Sequence, residues 1–251
     1  NLVIKRMATF LAEFTDPVTG LPKPSYDLWE EKHGVSTFTS ASVYAGLVAG
    51  AKFAKLFEKE NDEKVFSDAA EKMKVSILSL LYDEKLQMFS KLLNSKNGEY
   101  VYDTTIDMSS VYAVYTYGLL PIDDERITRS IETIEKKLRI HNGIDGVPRY
   151  EKDKYYMQVD GIPNPWYITT LWLAQYYAQT AKNQEDVEKV QFWLNWVVTH
   201  SPLSGVLSEQ LHPYTGEQLS ATPLTWSHAE YVRTVIYYHQ ALERLGLCKI
   251  N

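Results

Sequence analysis

The chain has few of the features that cross-link small proteins or place a protein in a membrane. Its 251 residues include a single cysteine, Cys248, which excludes an intrachain disulfide and a cysteine-based metal cluster. No apolar run reaches the roughly 18 residues of a transmembrane helix, so no membrane association is expected. The 26 basic residues are outnumbered by 32 acidic ones, which argues against a nucleic-acid partner, since such a partner requires a basic face.

Several enzyme motifs are also missing. The sequence contains no Walker loop, no glycine-rich dinucleotide turn and no His-Glu-x-x-His helix. The six histidines are scattered along the chain, and we predict neither a metal site nor a cofactor. The first residues lack the basic and apolar regions of a signal peptide, so a cytoplasmic location is expected.

Aromatic residues, by contrast, are abundant. The chain has 18 tyrosines and 6 tryptophans beside 8 phenylalanines, and 45% of its residues are hydrophobic. That apolar content excludes a disordered chain. Tyrosine and tryptophan combine a flat apolar ring with a polar group, which suits carbohydrate-binding clefts as well as helical cores. Composition leaves both interpretations open.

The hydrophobic pattern is almost entirely helical. It predicts eight helices, at residues 2–14, 38–59, 63–82, 105–119, 124–138, 165–182, 184–200 and 224–245. One strand-like segment, residues 88–102, contains the hairpin turn signal Asn97-Gly98. The sequence therefore predicts an all-α protein with one small hairpin, in a single domain that spans residues 1–251.

The connections between these helices alternate strictly between short and long. Short turns join antiparallel neighbours, so each pair of helices forms an αα-hairpin and the long loops lie at one end. Helix 165–182 is apolar nearly all round, whereas helix 124–138 is amphipathic, which indicates buried inner helices ringed by outer ones. We predict a toroid of helical hairpins, with a linear α-solenoid as the alternative.

Two inner helices begin with strong start signals. Asn164-Pro165 and Thr222-Pro223 each place a capping side chain before a proline, which predicts that the proline is the first helical residue. Trp166 and Trp226 follow at the mouths of the long loops, where either packing or sugar contact would explain them.

Two of the long loops carry the carboxylate clusters that are candidates for catalysis. The first loop interleaves acidic and aromatic residues just before an inner helix: Tyr26, Asp27, Trp29, Glu30 and Glu31. One carboxylate there could serve only the helix dipole, but three among aromatic rings favour a functional site. The last long loop contributes Glu209 and Glu217 as candidates. Two facing carboxylates are what glycoside hydrolysis requires, one as the acid for the leaving oxygen and one as the base for water.

These motifs resemble glycoside hydrolase family 15, the group of glucoamylases, glucodextranases and microbial trehalases. The matching segments occur in family order: Pro24-Ser-Tyr-Asp-Leu-Trp-Glu-Glu-Lys-His-Gly34, Arg149-Tyr150, Asn164-Pro-Trp166, Gly216-Glu-Gln-Leu-Ser220 and Leu224-Thr-Trp-Ser227. The resemblance implies a barrel of six helical hairpins, of which about eight of twelve helices lie in this sequence. The chain would then be the C-terminal portion of an α/α toroid catalytic domain.

The resemblance also implies residue roles. Glu30 would be the general acid and Glu217 the general base of an inverting hydrolysis. Glu31 and Arg149 would bind the sugar in the terminal subsite. The remaining substrate-binding candidates are Tyr26, Asp27, Trp29, Trp166 and Trp226.

The expected activity is the release of β-glucose from an α-glucoside, which would be malto-oligosaccharide, isomalto-oligosaccharide or trehalose. The alternative is a non-catalytic helical fragment that only binds sugar or supports a larger assembly. Because a gap in a toroid exposes apolar faces of inner helices, we expect association with a missing N-terminal part of the same protein or self-association.

Overall fold

The computed structural model describes residues 2–248. The chain divides into two compact units, Asn1–Ser130 and Ile131–Asn251. The single domain expected for residues 1–251 stays a prediction, because a division into units does not decide whether they fold as one.

Residues 2–248 contain eight α-helices, the number that the hydrophobic pattern predicts. They are α1 (Leu2–Glu13), α2 (Thr37–Leu56), α3 (Glu60–Leu80), α4 (Met108–Thr116), α5 (Glu125–Thr133), α6 (Tyr167–Thr180), α7 (Gln184–His200) and α8 (Thr225–Arg244). A π-helical turn, Ile134–Leu138, continues α5. None of the helices among these residues is both long and apolar enough to cross a membrane.

Residues 2–248 also contain eight short strands, and the sequence pattern predicts only two of them. They are β1 (Ser25–Tyr26), β2 (His33–Ser36), β3 (Tyr82–Asp83), β4 (Met88–Phe89), β5 (Leu92–Lys96), β6 (Glu99–Asp103), β7 (Gln210–Leu211) and β8 (Gln218–Leu219). The predicted hairpin is β5–β6, and its turn residues Asn97 and Gly98 both have positive φ, as that turn signal requires. The other strands are mostly two residues long, too short for an alternating pattern.

The first unit is centred on α2. This helix packs against α1, α3 and α4, and its small residues allow the close approach. At Gly50, an added Cβ would lie 2.8 Å from the Cβ of Ala8 on α1. Strands β1, β2, β5 and β6 form an antiparallel sheet in that order. The segment that joins β1 to β2 carries the predicted general acid.

The second unit is centred on α6, which packs against both α7 and α8. Nearly every residue of α6 is buried, among them Trp172, Leu173 and Ala174. This burial confirms the prediction from its all-round apolar sequence. The β7–β8 hairpin belongs to the loop between α7 and α8 and carries the candidate bases.

The two proline-based helix starts are placed differently from the prediction. Helices α6 and α8 begin two residues after Pro165 and Pro223, with Trp166 and Leu224 as N-caps that make no side-chain cap hydrogen bond. For α6 the reason is visible: the N–H of Trp166, which a cap at Asn164 would accept, donates to Val147 O at 3.0 Å, and Asn164 Nδ2 donates to Gln210 Oε1 at 2.8 Å. The tertiary contact therefore replaces the local cap.

Candidate active site

Residues 27–32, which we call the acid loop, connect β1 to β2. The loop is closed around Asp27: its N–H donates to Lys32 O at 2.9 Å, and its backbone oxygen accepts the N–H of Glu30 at 3.1 Å. Its side-chain Oδ1 accepts the N–H groups of Glu31 at 3.0 Å and Lys32 at 3.3 Å. Asp27 is 6% exposed. Its carboxylate therefore stabilises the conformation of the loop. The sugar contact predicted for Asp27 stays a prediction.

Glu30 stands at a backbone position that disfavours it. Its φ is +57°, in the left-handed region, which costs a non-glycine residue about 1–2 kcal/mol. Such a conformation persists where surrounding contacts enforce it, and it is common at functional sites. The side chains of Glu30 and Glu31 are both exposed. The loop thus presents two adjacent carboxylates to solvent on a backbone fixed by Asp27.

A buried cluster of charges lies beneath the acid loop; we call Asp27, Lys91 and Asp107 the ion cluster. Lys91 Nζ is 3.0 Å from Asp107 Oδ2 and 3.6 Å from Asp27 Oδ2, and all three side chains are buried. The indole N–H of Trp29 donates to Asp107 Oδ2 at 2.9 Å. Asp107 Oδ1 also accepts the N–H of Ser109 as the N-cap of α4. The cluster therefore ties the acid loop to the start of a buried helix.

Sequence reasoning does not reveal Lys91 or Asp107. Both lie far from the acid loop along the chain, and neither belongs to a motif that identifies a site. The one available signal is an aspartate before an apolar helical segment, which predicts an N-cap at Asp107 but not its contact with Trp29.

In the second unit, Arg149 is held in a fixed orientation. It is 4% exposed, and its Nε and Nη2 lie 2.7 and 2.8 Å from the two carboxylate oxygens of Asp153. The centre of its guanidinium is 4.7 Å from the ring of Trp166 and 5.1 Å from the rings of Tyr150 and Tyr155. A bidentate carboxylate and the neighbouring rings fix the orientation of the guanidinium. The sugar contact predicted for Arg149 stays a prediction.

The structure brings Trp166 together with Arg149, as a support for it. Trp166 is only 3% exposed, and its backbone forms a bridge with Gln210. Asn164 Nδ2 holds the side chain of Gln210, and the N–H of Leu211 donates to Pro165 O at 3.0 Å. The segment around Arg149 is therefore fixed directly against the start of the β7–β8 hairpin.

Glu209 lies at this fixed end of the hairpin. Its side chain is partly buried, and its Oε2 accepts hydrogen bonds from Ser220 Oγ at 2.5 Å and Gln210 Nε2 at 3.2 Å. Its N–H donates to Ala221 O at 3.0 Å. The carboxylate of Glu209 is consequently held in one position beside the Asn164–Trp166 segment.

Glu217 lies at the opposite end of the same hairpin, in the turn between β7 and β8. Its backbone oxygen accepts the N–H of His212 at 2.8 Å, and its N–H donates to Thr215 Oγ1 at 3.3 Å. The side chain of Glu217 is exposed. The two candidate bases thus differ in burial, in hydrogen bonding and in their distance along the hairpin from Gln210.

Trp226 stands in the first turn of α8 and is half-buried. Its indole N–H donates to Glu230 Oε1 at 3.1 Å, and its ring packs against Trp172 at 5.9 Å between centroids. The buried carboxylate of Glu230 also accepts from Gln175 Nε2 at 2.7 Å. These contacts fix the orientation of the Trp226 ring, and they involve residues that sequence reasoning does not single out.

Helical hairpins whose long loops carry carboxylates fit the class of α-helical glycoside hydrolases, which use a pair of carboxylic acids. Within that class, the chain belongs to the glycosyl hydrolases family 15, whose sequence model matches residues 20–193 and 191–236. It is 34% identical over 218 residues to an uncharacterized glycosyl hydrolase of Methanocaldococcus jannaschii, a match that covers 83% of this chain and 33% of the relative. It is 23% identical over 270 residues to a glucoamylase of Blastobotrys adeninivorans, covering 82% of this chain and 42% of the relative.

A solved structure confirms the fold class. A bacterial glucoamylase, crystallised as a complex with acarbose, superimposes with a TM-score of 0.77 at 20% sequence identity. The match covers 95% of this chain and 37% of the glucoamylase. The predicted all-α fold of the α/α toroid class and the predicted family are therefore both correct. The chain spans 33, 42 and 37% of the length of these three relatives.

Proposed function

We propose that this chain supplies both catalytic carboxylates of a glucoamylase-like, inverting glycoside hydrolase. The observation that carries the proposal is that the family match includes both carboxylate loops, residues 27–32 and 201–224. Glu30 gives its proton to the glycosidic oxygen, and a second glutamate activates the attacking water. These groups supply every proton transfer, so the reaction requires no cofactor.

Glu31 and Arg149 bind the sugar in this proposal. Arg149 is suited to the role because Asp153 and the neighbouring rings already fix its guanidinium. Trp29 and Trp226 have indole rings whose N–H groups are held by Asp107 and Glu230. Rings fixed in this way lose little freedom when a sugar packs against them.

For the general base we propose Glu209 in place of Glu217, the residue that the family resemblance implies. A general base must be held where it can reach the water in every turnover. The contacts of Glu209 with Ser220 and Gln210 supply that positioning, whereas Glu217 is exposed in the distal turn. Glu217 remains the rival candidate.

The substrate proposed is an α-glucoside. The names of the glucoamylase relatives favour malto-oligosaccharides, with isomalto-oligosaccharides and trehalose as the other substrates to compare. An inverting mechanism releases β-glucose from each of them.

The stereochemistry of the first product tests the proposal. Incubated with maltotriose, isomaltotriose and trehalose in separate NMR tubes, the protein is expected to produce the β-anomer of glucose before mutarotation equilibrates the two anomers. The control is the same reaction with Glu30→Gln, which should leave the substrates intact. With maltotriose or isomaltotriose, initial release of α-glucose would replace the inverting mechanism with a retaining one. Inverting hydrolysis of trehalose releases one α-glucose as the leaving group and one β-glucose, so for trehalose the contradicting result is α-glucose without the β-anomer.

The alternative function is a non-catalytic chain that binds sugar or supports a larger assembly. This chain covers only 33% of the length of the Methanocaldococcus jannaschii relative, and this partial coverage supports the alternative. Sugar binding without release of glucose, in the same NMR samples, would establish it.

We also propose that the chain associates through α8. Val232, Val235 and Ile236 are 57, 40 and 50% exposed, and their spacing places them on one face of the helix. Apolar side chains grouped in this way are typical of interaction surfaces.

Light scattering is expected to give a mass above the 28.9 kDa of one chain. Val232→Lys together with Ile236→Lys should return the mass to that of a monomer. Val198→Lys, a change at a similarly exposed valine on α7, should leave the association intact. A wild-type monomer at micromolar concentration would contradict this proposal.

A further inference from the structure

The sheet that carries the acid loop has one face made largely of aromatic residues. Directly paired residues of neighbouring strands point to the same face, as do residues two apart on one strand. The register pairs Tyr26 with His33, Leu93 with Tyr102 and Ser95 with Tyr100. Val35 pairs with Leu93 and lies two residues from His33, so all these residues share one face. We call this set the aromatic face: Tyr26, His33, Val35, Leu93, Ser95, Tyr100 and Tyr102.

The rings of the aromatic face are open to solvent. Tyr26, Tyr100 and Tyr102 are 63, 43 and 41% exposed. Tyr26 and His33 pack edge to face, with 5.5 Å between ring centroids. A sheet face turned to water ordinarily carries polar side chains, so a group of exposed rings indicates a surface that binds something.

The same register separates the charged residues from these rings. Lys96, Glu99 and Asp103 lie on the opposite face, and Lys32 of the acid loop binds Asp103 Oδ2 with its Nζ at 2.6 Å. Burial would raise the pKa of Asp103, but hydrogen bonds from Lys32 and Thr105 bring this pKa below its usual value. No member of the aromatic face is Asp, Glu, Lys or Arg. The surface therefore fits a neutral ligand with apolar patches and hydroxyl groups, which is the chemistry of a saccharide.

The aromatic face is continuous with the acid loop. Tyr26 and His33 are the residues that flank this loop. The strand register places Ser95 and Tyr100 beside them, so these four residues form a row across the four strands. The neighbourhood of Gly34 and Asn94 confirms this register, because a Cβ on Gly34 would lie 2.8 Å from Asn94 Oδ1. Four strands at a spacing of about 4.8 Å give the row a length of roughly 14 Å. A sugar chain that reaches Glu30 can therefore continue across it.

We propose that the aromatic face binds the part of an α-glucan chain that extends beyond the acid loop, with Tyr100 and Tyr102 as stacking platforms. This inference rests on the proposed function and specifies its substrate class: oligosaccharides several units long bind more tightly than disaccharides. Tyrosine suits the role because its ring offers a flat apolar surface and its hydroxyl a hydrogen bond at the edge.

Calorimetric binding of maltoheptaose and maltose to a Glu30→Gln protein tests the inference without hydrolysis. Adding Tyr100→Ala and Tyr102→Ala is expected to weaken maltoheptaose binding on the order of tenfold and to leave maltose binding nearly unchanged. Tyr100→Phe with Tyr102→Phe keeps the rings and should retain most of the affinity. Val101→Ala is the matched control, since Val101 is 48% exposed on the same strand but points to the other face.

Equal maltoheptaose affinity with and without the two rings would overturn the inference, and so would an equal loss in the Val101→Ala control. The outcome is separate from that of the proposed function. A protein that binds maltoheptaose through Tyr100 and Tyr102 but releases no glucose would support the aromatic face and contradict the hydrolase. A protein that releases β-glucose but binds maltoheptaose equally well without the two rings would support the hydrolase and contradict the aromatic face.

Discussion

Glu30→Gln and Glu209→Gln are each expected to reduce turnover of a malto-oligosaccharide by roughly 10²–10⁴-fold, the range of general acid–base catalysis. Glutamine preserves the size of the side chain but can neither donate the proton nor accept one from water. Glu217→Gln is expected to keep turnover within a few-fold of wild type, because its side chain is exposed in the distal turn of the β7–β8 hairpin. Steady-state kinetics on the complete protein, with thermal unfolding as the check on folding, measures all three.

A substrate with a better leaving group distinguishes the role of the general acid from that of the general base. An α-glucosyl fluoride needs little proton donation to its departing fluoride, so it should restore much of the activity of Glu30→Gln. The same substrate still needs an activated water and should leave Glu209→Gln inactive. If Glu217→Gln proved the crippling change and Glu209→Gln the mild one, Glu217 would take the role of the base.

Lys91→Met is expected to lower the free energy of unfolding by about 3–5 kcal/mol. Lys91 is the cation between Asp27 and Asp107 in the ion cluster, and its side chain is 2% exposed. Removing it leaves two buried carboxylates facing each other without that cation. Against a typical stability of about 5–15 kcal/mol, the loss is large enough to appear in urea unfolding at room temperature.

Lys32→Met provides the matched control for this change. The Lys32–Asp103 pair has a similar short distance, but the lysine side chain is 46% exposed. Exposed pairs contribute about 0–1 kcal/mol. Lys91→Arg keeps the charge and should recover part of the loss. A Lys91→Met protein as stable as Lys32→Met would show that the ion cluster contributes little to folding.

The elements predicted well from sequence are those whose signals extend over many residues. Eight helices and the β5–β6 hairpin follow from periodicity and one turn dipeptide, and α6 is buried as its composition requires. The helix starts predicted at Pro165 and Pro223 are each two residues too early. At Pro165, the N–H of Trp166 donates to Val147 O and Asn164 binds Gln210, so no local cap forms. A local signal fails where a distant residue offers a better partner.

For the candidate site, prediction from the sequence is limited in a different way. Residue types predict that Asp27, Trp166 and Arg149 belong to a site, but they do not predict how deeply each side chain is buried. Asp27 and Trp166 are buried supports, and the partner residues Lys91 and Asp153 belong to no recognisable motif. The choice between Glu209 and Glu217 depends on Ser220, whose hydroxyl meets only one of them. Such choices are made by tertiary contacts, which leave no regular spacing in the sequence.

The left-handed backbone at Glu30 has a consequence for directed evolution. A glycine or asparagine at this position would relieve the unfavourable φ. A library selected for heat resistance alone would therefore tend to discard the residue that we assign as the proton donor. At this one position, a substitution that increases stability would remove the proposed catalytic acid, a trade-off that is common where an active site holds a strained residue. Selection of this protein for thermotolerance is best coupled to a screen for the proposed glucose release.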